Sequence, residues 1–136
     1  MESIKGKASG YLLDTHVLLW WLFDDPKLSG TARDIIQAPD NTILVSSASG
    51  WEISTKHRLG KLPHAGEAVR HLPSLLLKSR MTVLSITMEH ALAAGALPGR
   101  HRDPFDRMLI AQGQIEGLPI VTSDRVFQQY SVELVW

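Results

Sequence analysis

The sequence predicts an α/β domain in which helices cover both faces of a mostly parallel β-sheet of about five strands. Short apolar runs alternate with longer helical segments along the chain, and this alternation is typical of parallel strands joined by helical crossovers. The 136 residues are enough for one domain with a single core. A hydrophobic share of 44% with a charged share of 21% is ordinary for a folded globular domain.

The chain starts with a polar segment, followed by a strand and an apolar helix. Residues 1–10 are expected to form a flexible leader before a single domain over residues 11–136. Residues 11–13 predict a short buried strand that ends at Asp14, and residues 15–23 a helix that is apolar on nearly every side. Such a helix needs a second surface to cover it, which favours a homodimer or a bound partner chain.

Turn and capping residues define the elements in the middle of the chain. Ser29 is expected to cap a helix over residues 30–37. Residues 64–79 predict a helix in which Pro73 causes a kink, because proline lacks the backbone N–H that a helical hydrogen bond needs. Between them, a strand over residues 42–45 and a helix over residues 47–59 are expected.

The last third of the chain continues the alternation of strands and helices. Asp103 followed by Pro104 opens a helix that runs to about residue 116, with Gly117 as its C-terminal stop. The remaining predicted elements are strands over residues 81–84, 120–121 and 132–135 and helices over residues 87–96 and 124–130.

Composition and charge exclude several functional classes. Lys and Arg (14) balance Asp and Glu (14), so nucleic-acid contact would depend on local basic patches rather than on a global positive field. The chain has no cysteine, which excludes disulfides and thiolate metal sites. No apolar stretch reaches the roughly 18–20 residues of a membrane span, and the start of the chain lacks an apolar signal region. A cytoplasmic protein without membrane contact is expected.

Four acidic residues lie where strands end or helices begin: Asp14, Glu52, Asp106 and Asp124. In an open parallel sheet, ligands bind beyond the carboxyl ends of the strands, so all four side chains can meet at one rim of the sheet. Carboxylates gathered there would repel one another unless a hard cation such as Mg²⁺ or Mn²⁺ lay between them. The pattern indicates metal-assisted chemistry on a phosphate.

Helix capping is the alternative explanation for each of these acids. Ser49 and Glu52 have the spacing of a capping box, and the other three acids also stand where a helix begins. Capping does not explain, however, why the first strand stops at a bare Asp-Thr-His sequence without a turn.

Four segments of the chain together match a known pattern: LLDTHVLLWWL (12–22), SSASGWEISTKHRLGKL (46–62), HRDPFDRMLIAQ (101–112) and LPIVTSD (118–124). In this order and with these spacings they resemble the PIN domain family and, within it, the VapC-type ribonuclease toxins of toxin–antitoxin pairs. The resemblance runs from about residue 11 to residue 136. It implies a Rossmann-like, three-layer α/β/α domain and a metal-dependent endonuclease that acts on RNA.

The family motifs imply that the four acids are catalytic and bind Mg²⁺ or Mn²⁺. Asp14 matches the acid of the D-T-H segment, Glu52 that of the W-E-I segment, Asp106 the acid ahead of the L-I-A run, and Asp124 the acid after Thr122. We assign Asp14 and Asp106 as the principal metal ligands. Glu52 and Asp124 would bind the metal directly or through water, or help to activate the attacking water. The choice between one metal ion and two stays open.

Further residues are expected to support the acids or to bind the substrate. Thr15 and Thr122 could orient carboxylates or waters, although Thr15 is equally plausible as a helix cap. Asp103 is expected mainly to cap its helix, one turn before Asp106. Three basic residues from local clusters are candidates for contacts with substrate phosphates, with a solvated surface as the alternative: Arg100, Arg102 and Lys56.

The sequence and the resemblance together predict a divalent-metal-dependent endoribonuclease that acts as the toxin of a toxin–antitoxin pair. RNA is the expected substrate, an antitoxin the expected partner and a homodimer the expected assembly. Two alternatives stay open, a PIN-type nuclease acting on single-stranded or structured DNA and a catalytically inactive PIN-like binding module. The presence of all four acids argues against the inactive module.

Overall fold

A computed structural model of the protein describes residues 9–136. The leader expected over residues 1–10 lies outside the described residues except for Ser9 and Gly10. Gly10 is the first residue of the first strand, and the Ser9 carbonyl accepts a hydrogen bond from the Thr42 backbone N–H at 2.8 Å. Regular structure therefore begins one residue earlier than predicted.

Five strands form one sheet in which every neighbouring pair is parallel. The strands are β1 (Gly10–Leu13), β2 (Thr42–Ser46), β3 (Met81–Leu84), β4 (Ile120–Val121) and β5 (Leu134–Val135). Their order in the sheet is β3-β2-β1-β4-β5. The chain therefore builds outward from β1 on one side and then crosses to the other side, so a topological switch point lies between β1 and β4.

Six α-helices connect these strands, and the predicted α/β/α architecture is confirmed. They are α1 (Thr15–Leu22), α2 (Gly30–Gln37), α3 (Ser47–Arg58), α4 (Gly66–Lys78), α5 (Met88–Ala96) and α6 (Pro104–Glu116). Ser29 caps α2 by accepting from the Ala32 backbone N–H, as predicted. Gly117 ends α6 with φ 66°, a left-handed conformation that glycine adopts without steric cost.

Three predicted elements differ from the structure. The helix expected over residues 64–79 is preceded by a 3₁₀ turn, Pro63–Ala65, and its backbone is non-helical at His71, two residues before Pro73. The kink follows from the N–H that Pro73 lacks and from the clash of its ring with the preceding turn. The helix expected over residues 124–130 is a 3₁₀ segment, Arg125–Gln129, and the last strand is shorter than predicted.

The sheet has a hydrophobic core on each face, because successive strand residues point to opposite sides. Leu13 belongs to one core, which also contains Leu18 of α1 and Ile53 of α3. Leu12 belongs to the other, which contains Leu109 and Ile110 of α6. The central strand β1 therefore anchors both layers of helices.

The apolar helix α1 is covered largely by the chain itself. Val17 and Leu18 are fully buried, and Trp20 and Trp21 pack partly buried against the same core. The Trp21 indole N–H also donates to the Ser79 hydroxyl at 3.2 Å. The domain thus covers much of α1 by itself, while Trp20, Trp21 and Leu22 stay half-buried and Phe23 is exposed. Among residues 9–136, no helix combines the length and apolarity that crossing a membrane requires.

Candidate active site

The candidate site is centred on Asp14, the residue that follows β1 at the switch point. Its backbone N–H donates to the Val121 carbonyl at 3.0 Å, which extends the pairing of β1 with β4 by one residue. The Thr122 hydroxyl donates to Asp14 Oδ2 at 2.8 Å. The Asp14 side chain is buried. Two neighbouring parallel strands therefore fix this carboxylate beyond their carboxyl ends.

Asp14 does not serve as a helix cap. It precedes α1, but its side chain makes no capping hydrogen bond in the described part of the chain. Burial raises the pKa of Asp14, and the nearby negative charge of Glu52 raises it further. The hydrogen bond from Thr122 and the charge of His16 lower this pKa and so oppose the rise. A buried carboxylate close to a second one is the arrangement that a bound cation stabilises. Asp14 thus stands at the start of α1, but the Thr122 hydroxyl is its main hydrogen-bond partner within residues 9–136.

Glu52 reaches the same region from α3 and is also buried. The cap of α3 is Ser46, which accepts from the Ala48 backbone N–H. The capping box predicted as an alternative for Glu52 is therefore absent. Glu52 Oε2 instead accepts from the Lys56 ammonium at 2.5 Å, and the buried Oε1 has no hydrogen-bond partner within residues 9–136. An unpartnered buried carboxylate oxygen is costly and is free to bind a cation.

Ser49 has a different role from the predicted one. Its hydroxyl lies 2.8 Å from the Thr15 hydroxyl, and both side chains are buried. This hydrogen bond joins the first turn of α1 to α3. The two residues therefore hold together the helices that follow Asp14 and carry Glu52.

Asp106 reaches the site from the first turn of α6. Asp103 caps this helix as predicted, accepting from the backbone N–H groups of Phe105 and Asp106 through Oδ1. Asp106 Oδ2 lies 2.9 Å from His101 Nε2. Burial raises the pKa of Asp106 to about 6, with the hydrogen bond to His101 opposing the rise and the charges of three other acids adding to it. Those acids are Asp103, Asp14 and Glu52.

Asp124 lies beside this cluster rather than inside it. Its side chain is exposed, and Oδ1 accepts from the Val126 backbone N–H at 3.0 Å, which caps the 3₁₀ segment. Its own backbone N–H donates to the Thr122 hydroxyl, the group that also bonds Asp14. The structure thus brings Asp14, Glu52 and Asp106 together and joins Asp124 to them through Thr122.

The basic residues divide into two groups. Burial lowers the pKa of Lys56, but its hydrogen bond to Glu52 and the charges of Glu52, Asp103 and Asp106 outweigh burial and raise it. Lys56 is therefore a counter-ion of the acids. Arg100 and Arg102 instead line an open hollow of about 690 Å³ next to Asp106, together with His101 and Arg107. Of the three predicted substrate contacts, Lys56 pairs with Glu52, whereas Arg100 and Arg102 form no ion pair with an acid among residues 9–136.

His101 and Arg107 were not predicted as site residues. The Arg107 guanidinium donates to the carbonyls of Leu97 and His101 at 2.6 and 3.0 Å, and also to those of Ala94 and Gly95. It therefore ties the loop between α5 and α6 to the end of α5. Their positions in the sequence, five residues before Asp106 and directly after it, were the signal, but a basic residue near an acid is usually only solvated.

The donor set fits a hard divalent cation. The groups that converge are carboxylates and hydroxyls, which are the oxygen ligands that Mg²⁺ and Mn²⁺ prefer. Burial raises the pKa of Asp14 and of Asp106 by disfavouring their charged forms, and the buried Glu52 Oε1 has no hydrogen-bond partner within residues 9–136, so a cation here would stabilise all three carboxylates. No three acidic or histidine side chains among residues 9–136 are already as close as the ligands of one ion would be. Mg²⁺ needs only one or two carboxylates, because it keeps several of its waters.

Comparison with known proteins agrees with this geometry. The PIN domain family matches residues 11–133. The curated ribonuclease VapC22 of Mycobacterium tuberculosis is 30% identical over 115 residues, covering 84% of this chain and 86% of VapC22. Ribonuclease VapC16 of the same organism is 36% identical over 69 residues, a match that spans about half the length of that relative (49%) and 48% of this chain.

Solved structures show the same fold at lower sequence identity. VapBC2 from Rickettsia felis, solved bound to a DNA fragment from its promoter, has a TM-score of 0.64 at 17% identity and covers 93% of this chain and 97% of that chain. VapBC-1 from nontypeable Haemophilus influenzae has a TM-score of 0.63 at 19% identity, covering 93% and 96%. Fold and family match agree, and the chain belongs to the PIN domain family.

Proposed function

We propose that this protein is a divalent-metal-dependent endoribonuclease and the toxin of a toxin–antitoxin pair. The observation that carries the proposal is that Asp14, Glu52 and Asp106, from three separate parts of the fold, are close enough for their charges to act on one another near the switch point of the sheet. Similarity to a curated VapC ribonuclease over 84% of this chain and 86% of that relative supports RNA as the substrate. The reaction is hydrolysis of a phosphodiester bond by an in-line water.

Asp14 and Asp106 are the principal residues that would hold Mg²⁺ or Mn²⁺, and Glu52 and Asp124 complete the set directly or through water. When bound, the cation stabilises charge on the phosphate and makes a water nucleophilic near neutral pH. The side chains around the acids prepare them for this task. Thr122 fixes Asp14 through one oxygen, and His101 does the same for Asp106, which restricts the remaining oxygens to few directions.

Substrate binding falls to the basic hollow beside Asp106. Arg100 and Arg102 are exposed there and can bind phosphates of the RNA backbone without competing for the acids. Lys56 would contribute only when Glu52 releases it, because the two side chains form a hydrogen-bonded ion pair. The phosphate contacts position the RNA but do not select its sequence.

An antitoxin partner and a homodimeric assembly belong to the same proposal, as does a cytoplasmic location. VapBC-5 from Mycobacterium tuberculosis, another solved structure with this fold, is described as a member of the VapBC family of toxin–antitoxin systems, which supports a partner protein for this chain. The surface of α5 offers apolar contact area for a second chain, since Met88 and Leu92 are among the most exposed apolar side chains.

The decisive experiment incubates the purified protein with structured RNAs and with single-stranded DNA, in Mg²⁺, Mn²⁺ or EDTA. RNA cleavage that requires the cation, and that falls by roughly 100-fold or more in Asp14→Asn and Asp106→Asn, is expected for residues that hold the catalytic ion. Asp34→Asn is the matched control, because Asp34 is an exposed acid on α2 and its variant should cleave normally.

The other outcomes identify the alternatives. Cation-dependent cleavage of DNA but not RNA would assign the protein to the DNA-directed nucleases. Stabilisation by the cation without cleavage of either polymer would identify an inactive binding module. Cleavage that is unchanged in Asp106→Asn would contradict the assignment of these acids as the residues that hold the catalytic cation.

A further inference from the structure

Trp51 is an exposed aromatic residue on α3, the helix that carries Glu52. It directly precedes Glu52 on α3. Its exposed fraction is 60%, although tryptophan, a large aromatic residue, is highly buried on average. Its ring contacts Phe105, with centroids 4.7 Å apart and planes at 79°. Phe105 is buried and directly precedes Asp106. The indole is therefore held by the two helices that supply two of the acids.

A cavity of about 310 Å³ lies next to this indole. Its apolar walls come from Trp51, Pro104 and Met108, and Arg102 and Arg107 form its polar side. Its volume is at the lower end of the range, about 300–1,000 Å³, in which small organic groups bind. The cavity is thus large enough for one planar ring system, and it has an aromatic wall on which such a ring can stack.

The cavity adjoins the basic hollow described above. Both are lined by Gly95, Arg102 and Arg107. One side of this shared boundary is aromatic and apolar, and the other is cationic. A nucleotide has the same two parts in the same proximity, a planar base and an anionic phosphate.

We propose that this cavity is a nucleobase subsite, in which one unpaired base of the RNA stacks on Trp51 while Arg102 binds the adjoining phosphate. The inference rests on the proposed function, since it assumes an RNA substrate, and it deepens that function by naming the feature recognised: a flipped or single-stranded base next to the scissile bond. Stacking on an aromatic side chain accepts every base, because every base has a π-face.

The charge of the cavity favours a base over an apolar peptide side chain. Arg102 is exposed and makes no ion pair or side-chain hydrogen bond with any of residues 9–136, so its guanidinium is available to an anion. A peptide side chain that filled the cavity would bring no phosphate to this position. A nucleotide brings both a ring for Trp51 and a charge for Arg102.

The test measures RNA binding without cleavage, in an Asp106→Asn background. Fluorescence anisotropy compares labelled oligoadenylate, oligouridylate and an abasic ribose-phosphate oligomer, each of about twelve nucleotides, a length within the span of known single-strand sites. Trp51→Leu is expected to weaken oligoadenylate binding roughly 5- to 150-fold, which is the usual effect of losing one stacked base. The abasic oligomer should bind both proteins equally.

Two control variants separate stacking from general damage. Trp51→Phe keeps a ring and should lose less affinity than Trp51→Leu. Leu77→Ala removes an apolar side chain of α4 that is 78% exposed and lies outside both hollows, and it should bind like the parent. Retained melting temperatures would show that each variant is folded.

The results distinguish the subsite from the function on which it rests. If Trp51→Leu binds oligoadenylate as tightly as the parent does, the subsite is overturned even if the protein cleaves RNA. The same holds if Trp51→Leu loses as much affinity for the abasic oligomer as for oligoadenylate. Loss of base-dependent binding in Trp51→Leu supports the subsite even if no RNA is cleaved. If the cavity instead receives a peptide side chain of a protein partner, RNA affinity will not depend on Trp51.

Discussion

At the scale of single residues, Lys56 determines how the acidic cluster behaves before a cation binds. Its ammonium holds Glu52 Oε2, and its charge also acts on Asp103 and Asp106. A divalent cation and this ammonium therefore satisfy the same negative charge. Binding of the cation at Glu52 must displace Lys56 or share the carboxylate with it.

We expect Lys56→Gln to destabilise the metal-free protein and to increase its response to Mg²⁺. Glu52 would remain buried without its ionic partner, and breaking such a partly buried pair costs about 2–3 kcal/mol. Urea denaturation with and without Mg²⁺ measures both effects. Lys61→Gln, at an exposed position three residues after α3 ends, should change neither. A smaller response to Mg²⁺ in Lys56→Gln would show that Lys56 supports cation binding instead of competing with it.

The proximity of Asp14, Glu52 and Asp106 could be predicted at this scale, but the neighbours of these acids could not. Asp14 stands out because a strand ends in it without a turn, and the structure places it beside Glu52 and Asp106. Lys56 was predicted to contact RNA, yet it lies four residues after Glu52 on one helix and pairs with it. The choice between an intramolecular ion pair and a phosphate contact depends on burial, which a single sequence does not contain.

At the scale of elements, two helical glycines are expected to respond oppositely to the same substitution. A Cβ added at Gly113 in α6 would lie 3.0 Å from Val132 and 3.1 Å from the Leu118 carbonyl oxygen. The backbone oxygen cannot move aside cheaply, so Gly113→Ala should lose about 1–2 kcal/mol. Gly95 in α5 has open space at the same position, so Gly95→Ala should gain about 0.5–1 kcal/mol.

Thermal and urea denaturation of both glycine variants measure this difference. If both are stabilised, the end of α6 has room to shift away from the loop before β4, and the close packing inferred there is wrong. Because Gly95 borders the two hollows, the comparison should use stability alone and not activity.

Arg107 organises the loop that connects α5 to α6. Its four carbonyl acceptors lie at the end of α5 and in this loop, so Arg107→Met leaves several of them dependent on water. We expect a loss of about 2–3 kcal/mol and faster hydrogen exchange over residues 97–103. Arg107→Lys should restore little, because one ammonium cannot reproduce the geometry of a guanidinium fork. Arg33→Met, which removes an exposed ion pair, is the matched control, and equal exchange in both would contradict this role.

Most elements could be predicted because their signals are local. Ser29, Asp103 and Gly117 mark helix boundaries through capping and backbone conformation, and the alternation of strands and helices fixes a parallel sheet. The errors arise where tertiary packing decides. The last strand pairs only through Leu134 and Val135, because its partner β4 has two residues, and this length is not encoded within the segment itself.

At the scale of the whole molecule, the raised pKa of Asp106 links stability to pH. The folded protein binds a proton at Asp106 up to about pH 6, whereas the unfolded chain releases it near the usual value of 3.8. Without metal, the contribution of Asp106 to the free energy of unfolding is therefore greatest below about pH 4, and it is lost as the pH rises to about 6. The loss is about 1–2 kcal/mol after allowing for solvent screening. Asp14 contributes in the same direction.

Urea denaturation of the metal-free protein across this pH range tests the linkage. Asp106→Asn should flatten the profile, because an amide does not titrate. Mg²⁺ should stabilise the parent strongly near pH 7.5 and weakly near pH 5, since ligand carboxylates must lose their protons before they bind a cation. A profile that is unchanged in Asp106→Asn would assign the pH dependence to another group.

The hydrogen bond from Thr122 to Asp14 has a consequence for how the protein matures. The two residues are 108 positions apart, and β1 has no neighbour on this side until β4 is available. During synthesis, domains fold as their segments become available, so an unfinished chain shorter than about 122 residues holds its first acid without the strand and hydroxyl that position it. The Asp14 side chain thus gains the strand and the hydroxyl that position it only after residues 121 and 122 have been made.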